Sequence, residues 1–493
     1  MNYSLFYILL IPEIYFFFGI LFLLSYNSIL NLSTYYKFPN NFKNNLFMLI
    51  LLLINVSILV LNYLNISDFT ISNFFYKDTF ISIIQLITIF FSIILLIVGY
   101  SYIINSRINH FEILVLFSFA IFSLFLLVTS IHMTNMYLLL ELQGITFYIL
   151  TSFNRSNQYS LESGLKYFIL GSFSSILLLF GITIIYGFTG LLSFTDIYIF
   201  LKNIDSFISN FNFNLISIGF LFITISFLFK FYAAPFHLWI ADIYQGAPTI
   251  ITAFFSVIPF ISIYYLFSKL LIIVFFKLYV IYNPIINITI ILSLVLGTFG
   301  ALYQKKIKRL LAYSSITGIG YFLLSFVSES PFMLYNISTY ILLYSFGLLS
   351  IFGLFLQFFI AKEKKYVEQI SLLNGYININ KFNSFLLLVF FFNIAGIPPF
   401  SVFFGKLFLL TALAISKNYF FIFLIIIITI ISCYYYLKLI KIIYFNVNNN
   451  WLLIENTNFI SSFLLIMFSI LHLYFFLDPS LLNVFTKYII FSI

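Results

Sequence analysis

Charge is what this sequence has least of. Of its 493 residues only 8% are Asp, Glu, Lys or Arg, against 63% hydrophobic. That balance excludes a soluble domain and points to a chain of membrane-spanning helices. Cysteine is nearly absent, with Cys433 alone, and the four histidines (His110, His132, His237, His472) are scattered. With no CxxC and no dense Cys/His cluster, the chain lacks a ligand set for structural zinc or an iron–sulfur cluster. Nor does the spacing suggest a pair of facing histidines for a haem. A Gly-rich βα phosphate loop is missing too, so no dinucleotide or flavin site is expected here. The opening MNYSLFYILLIPEIYFFFGILFLL has no basic n-region, cleavage site or Arg-rich presequence; it reads as a first membrane helix kept in the mature protein. What fills the sequence instead is 71 Phe and 37 Tyr with abundant Ile and Asn, the codon bias of an AT-rich genome, frequent in organelles.

Apolar runs long enough to span a bilayer fall at about 3–25, 46–66, 79–103, 112–130, 133–153, 163–188, 214–243, 250–277, 281–303, 309–328, 332–360, 383–412, 419–445 and 457–477. The expected fold is thus an all-α polytopic membrane protein of about fourteen transmembrane helices. The mixed segment 190–213 reads as a surface excursion. Loops after odd-numbered spans carry Lys37, Lys43, Arg107, Arg155, Lys305, Lys306, Lys308, Arg309, Lys362, Lys364, Lys365, Lys381, Lys438 and Lys441. Loops after even-numbered spans carry only Lys77, Lys202, Lys277 and Lys417. This positive-inside bias places both termini on the outer side, and makes the KKIKR run at 305–309 a topology anchor rather than a nucleic-acid or lipid site.

Five cations escape that count: Lys166, Lys230, Lys269 and Lys406 in or at the ends of spans, and Lys487 in the tail. A lysine near the bilayer centre costs roughly 2.5–3.5 kcal/mol on insertion scales, so it marks a functional site by default. Lys230 lies in the stretch FKFYAAPFHLWIADIYQGAPT, where Pro235 cannot bond back to the carbonyl of Phe231 and breaks the seventh span. In the twelfth span, FFNIAGIPPFSVFFGKLFLL, Gly396, Pro398 and Pro399 break the helix and Lys406 follows within two turns. Irregular backbone at membrane depth survives only inside protein or along a watery cavity. The two halves therefore repeat a theme of five helices, the fourth broken and bearing a lysine, in spans 4–8 and 9–13. Five is odd, so the repeats are expected to be inverted, as in several transporter folds. The implied organisation is three N-terminal spans over 1–110, a first repeat over 111–280, a second over 281–447, and a final span and tail over 448–493.

Glu141, in MYLLLELQGITFYIL, is the buried carboxylate that calls for a cation, with Lys230 or Lys166 as the candidate partner. A structural ion pair is the plain alternative, although desolvation makes such pairs weak stabilisers. Burial destabilises the charged form of a lysine, so a neighbouring charge that moves can switch it between holding and releasing a proton. Ser314, Ser315 and Thr317 fit bridging-water sites and plain helix contacts equally. His237 fits a relay or gate, or a hydrogen bond steadying the broken helix. Asp242 reads as a cap at the end of the seventh span. Asp68, Asp78, Glu112, Glu329, Glu363 and Glu368 fall in loops or at helix ends.

These residues resemble a family. The string LLLELQGITFYILTSFNRSNQYSLESGLKYFILGSFSSILLLFGITIIYGFTG, then FKFYAAPFHLWIADIYQGAPTIITAFF, KRLLAYSSITGIGYFLL and AGIPPFSVFFGKLFLL, are similar in order to the chain 2 family of proton-pumping NADH:quinone oxidoreductase (complex I). FHLWIADIYQGAPT separates that family from its chain 4 and 5 relatives, and the mitochondrial form looks closer than the chloroplast one. The resemblance implies an antiporter-like membrane-arm subunit that moves protons while NADH is oxidised by ubiquinone elsewhere in the complex. Glu141, Lys230 and Lys406 take the places of the family's proton-handling residues, with Glu141–Lys230 as a gate. NADH, FMN, iron–sulfur clusters and ubiquinone are implied for the complex, none of them on this chain. Chain 4 and the small chain 4L are the expected neighbours, with membrane lipid around and no nucleic acid. The location implied is the mitochondrial inner membrane, with organelle encoding and both termini in the intermembrane space. Two positions depart from the pattern: the usual eighth-span lysine is Phe260, and the usual tenth-span histidine is Gly318. Lys269 lies about 13 Å further along the helix and does not stand in. Water and hydroxyls bridge that gap, or the subunit transmits coupling as a scaffold. A free-standing cation/proton antiporter of the same broken-helix design is the competing reading.

Overall fold

The computed structural model describes residues 10–32, 41–62, 69–71, 74–203, 210–327, 333–360, 365–446 and 459–480. Lys37, Asp68, Glu329, Lys362, Glu363, Lys364 and Lys487 lie outside these residues. Lipid offers backbone groups no hydrogen bonds, so each apolar run satisfies its own as a helix. Seventeen α-helices form among the described residues. The first nine are α1 (Ile11–Leu32), α2 (Asn41–Asn62), α3 (Thr79–Asn105), α4 (Phe111–Thr129), α5 (Met133–Thr151), α6 (Gln158–Thr189), α7 (Phe194–Asn203), α8 (Asn210–Lys230) and α9 (Leu238–Gly246). The rest are α10 (Thr249–Lys269), α11 (Tyr279–Leu302), α12 (Ile307–Leu324), α13 (Met333–Phe355), α14 (Lys381–Ala395), α15 (Val402–Ile415), α16 (Tyr419–Phe445) and α17 (Phe459–Leu477). Two short antiparallel pairs, Phe69–Ile71 with Phe75–Lys77 and Phe359–Ile360 with Lys365–Tyr366, trim the ends.

Ten of these helices are long and apolar enough to cross a membrane among the described residues. The more polar α5 and α12, and the split pairs α8–α9 and α14–α15, supply a helix for each remaining expected span. The seventh span breaks over 231–237 and the twelfth over 396–401, where the proline and glycine pattern puts them. Each break contains a cis proline bond, Ala234–Pro235 and Pro398–Pro399. The 190–213 excursion contains α7, whose Phe194, Ile197 and Leu201 are buried. Asp78 is a cap, as its position suggests, accepting the Phe80 N–H at 2.6 Å.

Packing places α10 and α13 at the centre, against each other. Around them the remaining spans close the bundle, and α6 and α8 cross where Gly181 meets Gly219. A Cβ on Gly181 would lie 2.6 Å from the Gly219 carbonyl, so only glycine permits that approach.

Candidate functional site

Lys230 is the last residue of α8. Beyond it the helix closes through Tyr232 N–H to the Phe229 carbonyl (2.9 Å) and Ala233 N–H to the Leu228 carbonyl (3.0 Å). Tyr232 takes the left-handed conformation (φ 49°) that this ending requires. For a tyrosine that is strained backbone, held here by the Trp239 ring at 5.9 Å edge-on. The half-buried Lys230 ammonium donates to the Leu140 carbonyl at 3.5 Å. It faces a cavity of about 50 Å³ walled by α5, α6, the break and α10, with Tyr148, Trp239, Phe260 and Tyr264 among its lining. Space of that size admits a few waters. Pro259, also in the wall, leaves the Phe255 carbonyl of α10 without its helical partner.

Glu141 follows Leu140 on α5, and its charge acts on Lys230. No ion pair within 4.0 Å joins them among the described residues. Lys166 is not the partner of Glu141 either. It bridges Glu162 (2.7 Å) and Asp242 (3.1 Å) on the surface. Asp242 in turn takes Arg309 at 2.7 Å, so it is the hub of a surface network rather than a cap. The adjacent Lys308 donates to the Ala247 carbonyl at 2.7 Å. The KKIKR run thus also clamps α9, a role that charge counting missed. Asp242→Asn is expected to lower stability by about 1 kcal/mol, because these side chains are roughly 40% exposed and solvent screens them. Thermal melting of the purified assembly in low and high salt checks this: the difference from the natural chain should shrink as salt rises. His237 stands at the start of α9 with its Nδ1 buried and without a hydrogen-bond partner among the described residues.

The second break repeats the arrangement. Gly396 (φ 77°) ends α14, a conformation glycine adopts freely. The buried Lys406 donates to the carbonyl of Ala395, the last α14 residue, at 2.7 Å. Its Nζ also lies 5.0 Å from the centre of the Tyr321 ring.

Between the two lysines runs a file of buried tyrosine hydroxyls that the sequence does not single out, set against the Ser314, Ser315 and Thr317 that it does. Tyr232 lies against Tyr244 and Ser315, and Tyr344 donates to the Ser314 carbonyl at 3.2 Å. Tyr344 stacks on Tyr340 (5.6 Å), which neighbours Tyr321 (6.2 Å) and so reaches Lys406. Tyr436 lies against Ser314, and Tyr435 against Thr317. The phenol oxygens of Tyr264 and Tyr321 are buried with no protein partner among the described residues, which is where ordered water belongs. The file passes the two departures. Phe260 packs on Tyr264 and Tyr344 (4.1 and 5.5 Å), and the Tyr344 ring occupies the space a side chain at Gly318 would need. Lys269 sits elsewhere, beside Tyr76 and Phe194 at 5.6 and 5.9 Å. With 37 tyrosines in the chain, no single one stands out by composition. Only the packing selects these.

Residues 130–432, which include both breaks and both lysines, match the model of the NADH:quinone oxidoreductase/Mrp antiporter membrane family. The chain belongs to this family. Within it, NADH-ubiquinone oxidoreductase chain 2 of Marchantia polymorpha is 32% identical over 77% of this chain and 76% of its own length. NADH-quinone oxidoreductase subunit N of Orientia tsutsugamushi is 35% identical over 70% of this chain and 72% of its own. The fold is that of a chain in respiratory complex I from Thermus thermophilus, with TM-score 0.73 at 21% identity over 94% of this chain and 98% of that one. It is equally that of a chain in the Mrp complex from Dietzia sp., with TM-score 0.80 at 15% identity over 97% and 96%.

Proposed function

We propose that this family member is the antiporter-like chain 2 subunit of the membrane arm of respiratory complex I, translocating protons as NADH is oxidised by ubiquinone elsewhere in the complex. The observation that carries the reading is a pair of lysines, one at each broken span, joined by buried hydroxyls. Glu141 and Lys230 form the gate at the first break, and Lys406 serves the second. The two five-helix units, 111–280 and 281–447, act as inverted repeats around that axis. Each phenol relays by accepting a proton on its oxygen as it gives up its own, with water filling the gaps at Tyr264 and Tyr321. NADH, FMN, iron–sulfur clusters and ubiquinone belong to other parts of the complex.

Two plant relatives, from Marchantia polymorpha and Oenothera berteroana, each 32% identical, are named for ubiquinone. They support a mitochondrial inner-membrane location and organelle encoding. The lysine and arginine bias supports termini in the intermembrane space, and the chain 2 resemblance supports chains 4 and 4L as neighbours. The test is a native gel of mildly solubilised membranes stained for NADH dehydrogenase activity, with this chain located by mass spectrometry. It should run in the large active band. Migration alone or in a small inactive assembly would overturn the reading in favour of a free-standing antiporter.

A further inference from the structure

α17 lies beyond the family-matched residues 130–432, yet it reaches the second break with a fully buried histidine, His472. The His472 Nδ1 is 3.1 Å from the Asn393 side-chain nitrogen and 2.9 Å from the Ser401 hydroxyl. Asn393 Oδ1 accepts the Ser401 O–H (3.0 Å) and the Val402 N–H (3.2 Å). On the other side of the ring, Nε2 is 3.3 Å from the Ser350 hydroxyl of α13, whose own proton goes to the Gly347 carbonyl at 2.7 Å. With the ring proton on Nε2 and pointing to Ser350, the bare Nδ1 accepts from both the Asn393 amide and the Ser401 hydroxyl, whose one proton is shared between Nδ1 and Asn393 Oδ1. Phe346 and Phe390 wall the ring at 4.6 and 5.9 Å.

We infer that His472 is a positioning residue that latches the second break, making the C-terminal helix a working part of the Lys406 station. Asn393 lies in the last turn of α14, and Ser401 immediately precedes α15, so the latch ties both rims of the irregular segment to one point. Lys406 holds the Ala395 carbonyl, two residues from Asn393. Whatever moves the end of α14 therefore moves the latch and the lysine's acceptor together. A segment freed from helical bonding by two prolines needs such ties at membrane depth. The imidazole works here through its two opposed hydrogen-bonding positions and its shape, not by changing charge.

The single cysteine offers a native reporter, because Cys433 Sγ approaches the same Ala395 carbonyl at 3.9 Å. His472→Leu in the assembled complex should speed N-ethylmaleimide labelling of Cys433, followed by peptide mass spectrometry, by about fivefold, the shift expected from losing a typical buried hydrogen bond. It should also lower the protons moved per electron. His472→Gln, which still accepts from Asn393 and donates to Ser350, should restore both. Labelling that stays unchanged in His472→Leu overturns the latch. Lost proton movement in His472→Gln with Cys433 still protected overturns positioning in favour of proton carriage by the imidazole itself. If His472→Leu does not assemble, Ser401→Ala removes one tie; faster labelling than in the natural chain supports the latch, and equal labelling overturns it. The proton readout rests on the proposed function and the labelling does not. Faster labelling with unchanged proton movement would keep the latch and count against the proton role.

Discussion

Lys230→Ala should cut NADH-driven proton movement at least about tenfold per assembled complex, a modest share of what a positioned proton-transfer group supplies. The ammonium sits at the end of a helix broken for it, in a cavity with room for a few waters, and its side-chain acceptor is a backbone carbonyl rather than a carboxylate. Lys230→Arg separates the two roles the residue could have. Arginine keeps the charge and reaches the same carbonyl, but holds its proton up to a pH of about 12 and above. A charge needed only for packing or for coupling would survive that change, whereas a proton carrier would not. Both variants are compared by proton uptake in sealed vesicles, normalised to NADH oxidation. Unchanged stoichiometry and unchanged oxidation in Lys230→Ala would sink the pumping role and leave this subunit a scaffold.

The second large effect is steric. Gly318→Val should destabilise the chain by about 1–3 kcal/mol, the usual cost of overfilling a close-packed core. The position beside α12 is already taken by the Tyr344 ring, within contact distance of any Cβ built there. That ring cannot step aside, since it stacks on Tyr340 and its hydroxyl holds the Ser314 carbonyl. The thermal midpoint of the solubilised assembly should fall with Gly318→Val and with Tyr344→Ala, and the double variant should lose clearly less than the two single losses added together. Additive losses would show that Tyr344 is not what fills the space.

The spans, the two breaks and their lysines were legible in the sequence because each rests on a local rule: hydropathy over about 20 residues, proline's missing N–H, and the cost of charge in hydrocarbon. What escaped depends on residues far apart in sequence. Asp242 read as a cap because its neighbours suggest a helix end; its partners Lys166 and Arg309 lie 76 and 67 positions away. Charge alone offers Lys166 to Glu141 as readily as Lys230, while the fold gives Lys166 a surface network. His472 had no motif around it and gained its meaning from Asn393, 79 residues earlier. The tyrosine file was hidden by abundance. At Gly318 the sequence displays an empty position, and only the structure reveals that a phenol from α13 has moved into it.

Both lysines are held by neutral dipoles, Lys230 by the Leu140 carbonyl and Lys406 by that of Ala395. A carbonyl steadies an ammonium without cancelling it, so each site keeps its full monopole. In a poorly screening interior such a field reaches far: at an effective dielectric of 20, two unit charges about 20 Å apart still interact by roughly 0.8 kcal/mol. Gain or loss of a proton at one break is therefore an electrical signal at distant ionisable groups, carried without a lever, a hinge or a travelling ion.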